Sequence, residues 1–159
     1  MSDLPAVLQA EPDWVGDRAL LGGEYPHVGN TRNAALYRLG QRVLAVVPFA
    51  DSTDDGESSL ESIRLQERYF RTAGVPGGSV IFIDRVLEQD RAARQNYRTV
   101  PDPQLLTGFA LVTRSVLGRA FSAVYVGLSA PRVPTRVFSS LDQAMVWLNE
   151  RNRANSTSE

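Results

Sequence analysis

Val43-Leu44-Ala45-Val46-Val47 is apolar at five successive positions and β-branched at three of them. A run this short, with no polar face, reads as a strand buried on both sides at the centre of a sheet. Upstream, Ala34-Ala35-Leu36-Tyr37 and the turn residues Gly40-Gln41 supply its antiparallel partner, so residues 34–49 form a hairpin. Downstream, Val80-Ile81-Phe82-Ile83, Phe109-Ala110-Leu111-Val112 and the shorter Arg136-Val137-Phe138 repeat the strand signature. The segments between have helical spacing. Leu60, Ile63 and Phe70 form the buried stripe of a helix over 58–73, with Tyr69 alongside and Gly74 and Pro76 as the stop. Ser58 and Glu61 read as its capping box. Asp90 reads as the N-cap of a short helix over 91–99, ended by Pro101. Residues 115–128 form a third helix, and Ser140 with Gln143 caps a fourth carrying Leu141, Ala144, Met145 and Leu148. The expected order is β-β-α-β-α-β-α-β-α: an α/β domain with a mixed, mainly parallel sheet, an N-terminal hairpin and about four covering helices.

With 159 residues, the chain fits one domain large enough to bury a core without staples. Residues 1–32 carry three prolines and four glycines and are expected to be a loosely ordered arm docked through Trp14 and Leu20-Leu21. The domain proper is expected over 33–152, with a frayed polar tail over 153–159. Cysteine is absent and His27 is the single histidine, which removes disulfides, thiol nucleophiles and any His/Cys zinc site built within one chain. His27 itself reads as a solvated loop residue. The Asp51–Gly56 stretch has the start of a calcium-loop pattern, but position twelve falls on Ser62 where the bidentate glutamate is needed. Neither a cofactor nor a metal is expected. No signal peptide, lipidation motif or membrane-length apolar run is seen, so a cytoplasmic protein without integral membrane association is expected.

Charge divides the chain. Residues 1–62 hold ten acidic side chains against four arginines, a net of −6, whereas residues 85–136 hold eight arginines against three acids, a net of +5. With an overall net charge of −1, nucleic acid is not the expected partner; a charged protein surface suits the division better. All seventeen basic residues are arginine, a bias that high G+C genomes produce, which suggests a bacterial source.

Two stretches give the order a familiar look. One is Ile81-Phe82-Ile83-Asp84 followed by Asp90-Arg91-Ala92-Ala93-Arg94; the other is Pro134-Thr135-Arg136-Val137-Phe138-Ser139-Ser140-Leu141 running into Ala144-Met145-Val146-Trp147-Leu148. Over about residues 33–150 the chain resembles the bacterial SpoIIAA-like superfamily, the STAS domain and its STAS/Sec14-type relatives. The resemblance implies a non-enzymatic, partner-binding role. Phosphorylatable STAS antagonists carry an Asp-Ser step where this chain has Asp90-Arg91, and the strand-to-helix connection here is about two residues shorter. With no hydroxyl at position 91, that phospho-switch cannot operate there. Sec14-like relatives imply a lipid pocket, but a chain this short lacks the lid elements to enclose one.

Two surfaces are candidates for a partner. Arg91, Arg94 and Arg98 fall at i, i+3 and i+7 on one face of the short helix, where arginine forks would match carboxylate or phosphate. The plainer reading is a solvated face with Arg94 paired to Asp90, a contact of only ~0.3–0.5 kcal/mol. Phe121, Val124 and Tyr125 belong to the apolar 115–128 helix, expected either as core or as a homodimer or partner contact; full burial of one such ring contributes ~1.5–3 kcal/mol. Two further readings stay open. One is a small-ligand or lipid-head-group binder with a pocket beneath that helix. The other is an enzyme using Asp84 with Asp90 or Glu88.

Overall fold

The computed structural model describes residues 11–116 and 131–157. The chain runs through α1 (Trp14–Leu21), β1 (His27–Asn30), β2 (Ala34–Gly40), β3 (Val43–Pro48), β4 (Ser52–Asp54), α2 (Gly56–Ala73), β5 (Gly77–Phe82) and a 3-10 turn (Ile83–Arg85). It continues through β6 (Val86–Gln89), α3 (Arg91–Thr99), β7 (Leu106–Val112), β8 (Thr135–Phe138) and α4 (Leu141–Thr157). Six strands form one sheet in the order β1-β2-β3-β5-β7-β8, and β4 pairs with β6 in a separate parallel ribbon. The first two pairings are antiparallel and the remaining three are parallel. This is the mixed, mainly parallel α/β architecture expected from the strand runs. β3 is buried along its whole length between β2 and β5, and Ser79↔Phe109 and Val80↔Ala110 set β5 beside β7.

Alternation along the strands divides the core in two. Ala35, Tyr37, Val43, Ala45, Val47, Val80 and Ala110 face α4, where Ala144 and Leu148 are fully buried. Leu36, Leu44, Val46, Leu106 and Phe109 face α2 through Phe70. The inner stripe of α2 is partly polar. Ser79 donates to Gln66 at 2.6 Å and Gln66 donates to Ser62 at 3.0 Å, so each buried side chain has its partner.

The Gly77-Gly78 pair, read from sequence as a turn, lies inside β5 and lets both helices approach the sheet. A Cβ at Gly77 would stand 2.3 Å from the Phe70 ring and 2.4 Å from the Arg42 carbonyl oxygen; one at Gly78 would stand 2.5 Å from Leu148. Thr107 and Asn152 lock the same end, their side chains 2.6 Å apart, while Asn152 also donates to the Arg42 carbonyl at 3.1 Å.

Several boundaries differ from expectation. Residues 14–30 are not a loose arm. They form α1 and the edge strand β1, because Asp17 and Leu21 are buried and Trp14 and His27 pack edge-on with Tyr37. His27 is therefore a strand residue, bonded to Asn30 at 2.7 Å. The tail expected to fray after Asn152 continues the helix to Thr157. α2 starts two residues early: Asp55 is the N-cap, and Ser58 is the third helical residue that completes the box. The expected helix over 115–128, with Phe121, Val124 and Tyr125, lies outside the described residues from 117 onward. Among the described residues, no helix is long and apolar enough to cross a membrane.

The glycine contacts predict an asymmetry between two alanine substitutions. Gly77→Ala should cost about 3 kcal/mol or more in urea unfolding, the upper range for overpacking against backbone that cannot move aside. Gly40→Ala, with nothing within 4 Å of the added carbon, should stay within about 1 kcal/mol of wild type. Equal losses at the two positions would contradict this packing.

Candidate functional site

The carboxyl ends of β3 and β5 lead into the β4–β6 ribbon and then into α2 and α3. The chain leaves β3 through Asp51, whose φ of 56° is the left-handed conformation that aspartate tolerates better than most residues. Three residues on, Asp54 is buried and gathers this end of the molecule. One of its oxygens accepts from Ser58 at 2.7 Å and Asn33 at 3.4 Å; the other accepts from Tyr97 at 2.8 Å and Gln89 at 3.2 Å. Its carbonyl oxygen also accepts from the Asp90 backbone at 3.0 Å. One carboxylate thus joins the β1–β2 connection, α2, β6 and α3. Asn96 adds a second tie from α3 to α2, donating to Ser59 and to the Gly56 carbonyl.

Held in this way, α3 begins at Asp90, which caps it by accepting from the Ala93 backbone at 2.8 Å. Arg91 is exposed, and Arg94 and Arg98 are half-buried along the same helix. Arg94 bonds to the Gln89 carbonyl at 2.7 Å instead of pairing with Asp90. The structure adds Arg132, which sequence reasoning missed. Its backbone N–H donates to the Arg98 carbonyl at 3.0 Å and its guanidinium to that of Thr99 at 3.2 Å. A cation at the carboxyl end of a helix is favoured by the helix dipole. Arg98 and Arg132 are 34 positions apart, and the sequence gave no signal for this contact.

The carboxylates weighed for catalysis are not joined. Asp84 accepts from the Thr113 hydroxyl and, at 2.9 Å, from the Arg114 backbone, fastening the end of β5 to the end of β7. Asp90 is spent on its cap, and Glu88 lies exposed on β6. The pocket expected beneath the 115–128 helix lies outside the described residues. At the opposite end of the sheet, an open groove of about 430 Å³ is lined by Gly40, Gln41, Met145, Asn149 and Arg153.

A second electrostatic knot stands beside Asp54. Arg32 grips Glu61 through its backbone and guanidinium at 2.8–3.0 Å and meets Glu57 at 2.5 Å. Burial alone would raise the Glu61 carboxyl, but the hydrogen bonds and charge of Arg32 outweigh it and hold the carboxyl below its ordinary value. Asp55 is also lowered, chiefly by the Ser58 backbone hydrogen bond.

With this geometry in place, comparison with known proteins gives a family. Residues 64–152 match a family described as a domain of unknown function, DUF7793, and the chain belongs to that family. Among solved structures it is similar to an uncharacterized protein from the DUF3478 family with a SpoIIAA-like fold, from Shewanella loihica PV-4. The two are 12% identical over 79% of this chain and 96% of that one, with a TM-score of 0.46. No curated protein matches.

A hydrogen bond to a charged group is worth ~1.5–3 kcal/mol, and Asp54→Ala removes the carboxylate that Ser58, Asn33, Tyr97 and Gln89 share. It should lower stability by about 3 kcal/mol and speed amide exchange first in α3. Uniform exchange across the sheet and α3 would contradict the assigned role. Asp55 and Glu61 titrate lower when folded than unfolded, so their contribution is complete above the ordinary values of 3.8 and 4.5. It is lost as pH falls through the depressed folded values. Asp55→Asn keeps a capping side chain but cannot titrate, so its urea midpoint should fall less than that of wild type between about pH 4.5 and 2. An acid limb as steep as wild type would count against this assignment.

Proposed function

We propose that this chain is a cytoplasmic protein-interaction module with no chemical step of its own, and that an acidic protein partner docks on the outer face of α3. The observation that carries the reading is the attachment of Arg132 to the carboxyl end of α3. It extends the row Arg91, Arg94, Arg98 to four arginines drawn from two distant parts of the chain. No acidic residue lies in the first turn of α3. Leu87, 70% exposed and four residues before Arg91, offers an apolar contact beside the charge. The carboxylates that an enzyme reading would need support this view as well, since Asp84, Asp90 and Asp54 are each committed to holding backbone and side chains together. Arginine forks suit carboxylates, and such surfaces govern the rate and selectivity of encounter more than raw affinity.

Hexaglutamate peptide is a suitable probe, titrated into the isotopically labelled chain at low ionic strength. The amide shifts should gather on residues 91–99 and 132 and fade as salt rises. Arg91→Glu with Arg132→Glu should abolish them while leaving stability within about 1 kcal/mol, because both side chains are exposed. Shifts centred elsewhere, or undiminished binding by the double variant, would overturn the reading.

A further inference from the structure

Through Asp17 and Arg85, α1 is tied to the carboxyl ends of β3 and β5, the region where open α/β sheets receive ligands. Only Asp17 and Leu21 of its eight residues are buried, while Trp14 and Val15 are 44% and 77% exposed. A helix of two turns does not stand by itself in water, so its position depends on what those two residues grip. Leu21, 3% exposed, belongs to the core on the α4 side of the sheet. Asp17, 2% exposed, places one carboxylate oxygen 2.7 Å from Arg85 and the other 2.5 Å from the Tyr37 hydroxyl. Arg85 is braced from behind by the Pro48 carbonyl at 3.3 Å. A guanidinium and a phenol fixed on the sheet side, both aimed at one carboxylate, make a receptor for that group. The element that fills it is joined to the sheet through Gly22, at φ 74°, and Gly23. Those two residues can absorb a change of direction that other residues resist.

We propose that α1 is a displaceable strap. Its Asp17 occupies, from within the chain, a carboxylate site built by Arg85 and Tyr37, and an aspartate or glutamate side chain of a partner protein takes that site when α1 lifts. The departing helix exposes Arg85 and Tyr37 together, beside the already exposed His27. This site is separate from the α3 ridge and does not depend on it. The incoming carboxylate replaces only the contacts that Asp17 gives up, so affinity is reduced by the cost of lifting the helix, the burial of Leu21 included.

The test uses the full chain and a capped hexa-aspartate peptide, read by the side-chain Nε–H shift of Arg85 and by amide exchange. In Asp17→Asn, exchange over residues 14–21 should rise at least tenfold while residues 43–47 and 78–82 keep their protection. The peptide should bind that variant at least tenfold more tightly than wild type. Arg85→Gln should remove binding in both backgrounds. Val15→Gly, which loosens the helix through its backbone at a residue 77% exposed, should also tighten binding. Equal affinity in wild type and Asp17→Asn overturns the proposal, as does an Arg85 signal that the peptide does not move. If both helix variants unfold, or if exchange rises equally in β3 and β5, α1 is a fixed part of the core and the proposal fails.

Discussion

Asp54 is the constraint on which the candidate docking face depends. A carboxylate taken out of water is tolerated only where donors replace the lost hydration, and four side chains from four parts of the chain do so here. Each donor gains an acceptor only if its own element is in place, so the arrangement is cooperative. Without it, the β4–β6 ribbon has no sheet to extend and α3 has few apolar residues with which to hold the sheet, Ala93 being its one buried side chain. Polar satisfaction takes the place of hydrophobic packing at this end of the molecule, and it leaves Arg91 exposed at the start of α3.

The amino end of the sheet is built on the opposite principle. Glycines at 77, 78 and 108 remove side chains so that Phe70, Leu148 and Trp147 can press against backbone. Asn152, Thr107 and Arg42 then satisfy the polar groups this close approach buries. Rigid packing at one end and hydrogen-bonded loops at the other give a scaffold whose proposed recognition surface lies on connections instead of strands. Arg136, stacked 5.3 Å over Phe138 and 5.9 Å over Trp147, closes the β8 edge and shields aromatic surface that the short strand cannot cover.

Five of the six sheet strands were legible from local patterns: both-face apolar runs for β3, β5 and β7, a short apolar run for β8, and an apolar run ending in a turn glycine for β2, while β1 was not. Helix caps at Asp90 and Ser140 were legible for the same reason, being local hydrogen bonds between residues three apart. What escaped depends on distance in sequence. Asp17 looks like a surface acid until Arg85 and Tyr37 are brought to it. Asp54 sits in a polar run that reads as loop, and its partners lie 4 to 43 residues away. The glycine pair of β5 carries the usual mark of a turn, and only the helices pressing from both sides show why side chains are excluded. Of the arginine face, the spacing at 91, 94 and 98 was visible, but Arg132 was not.

The role of the buried carboxylate is tested most directly by a double-mutant cycle. Stability is measured by urea unfolding for Asp54→Asn, Tyr97→Phe and the two together. A shared hydrogen bond inside a cooperative cluster predicts a coupling of about 1–2 kcal/mol, the double variant losing less than the sum of the singles. Additive losses within about 0.3 kcal/mol would show that Tyr97 and Asp54 act independently, and that α3 is held in place by something else.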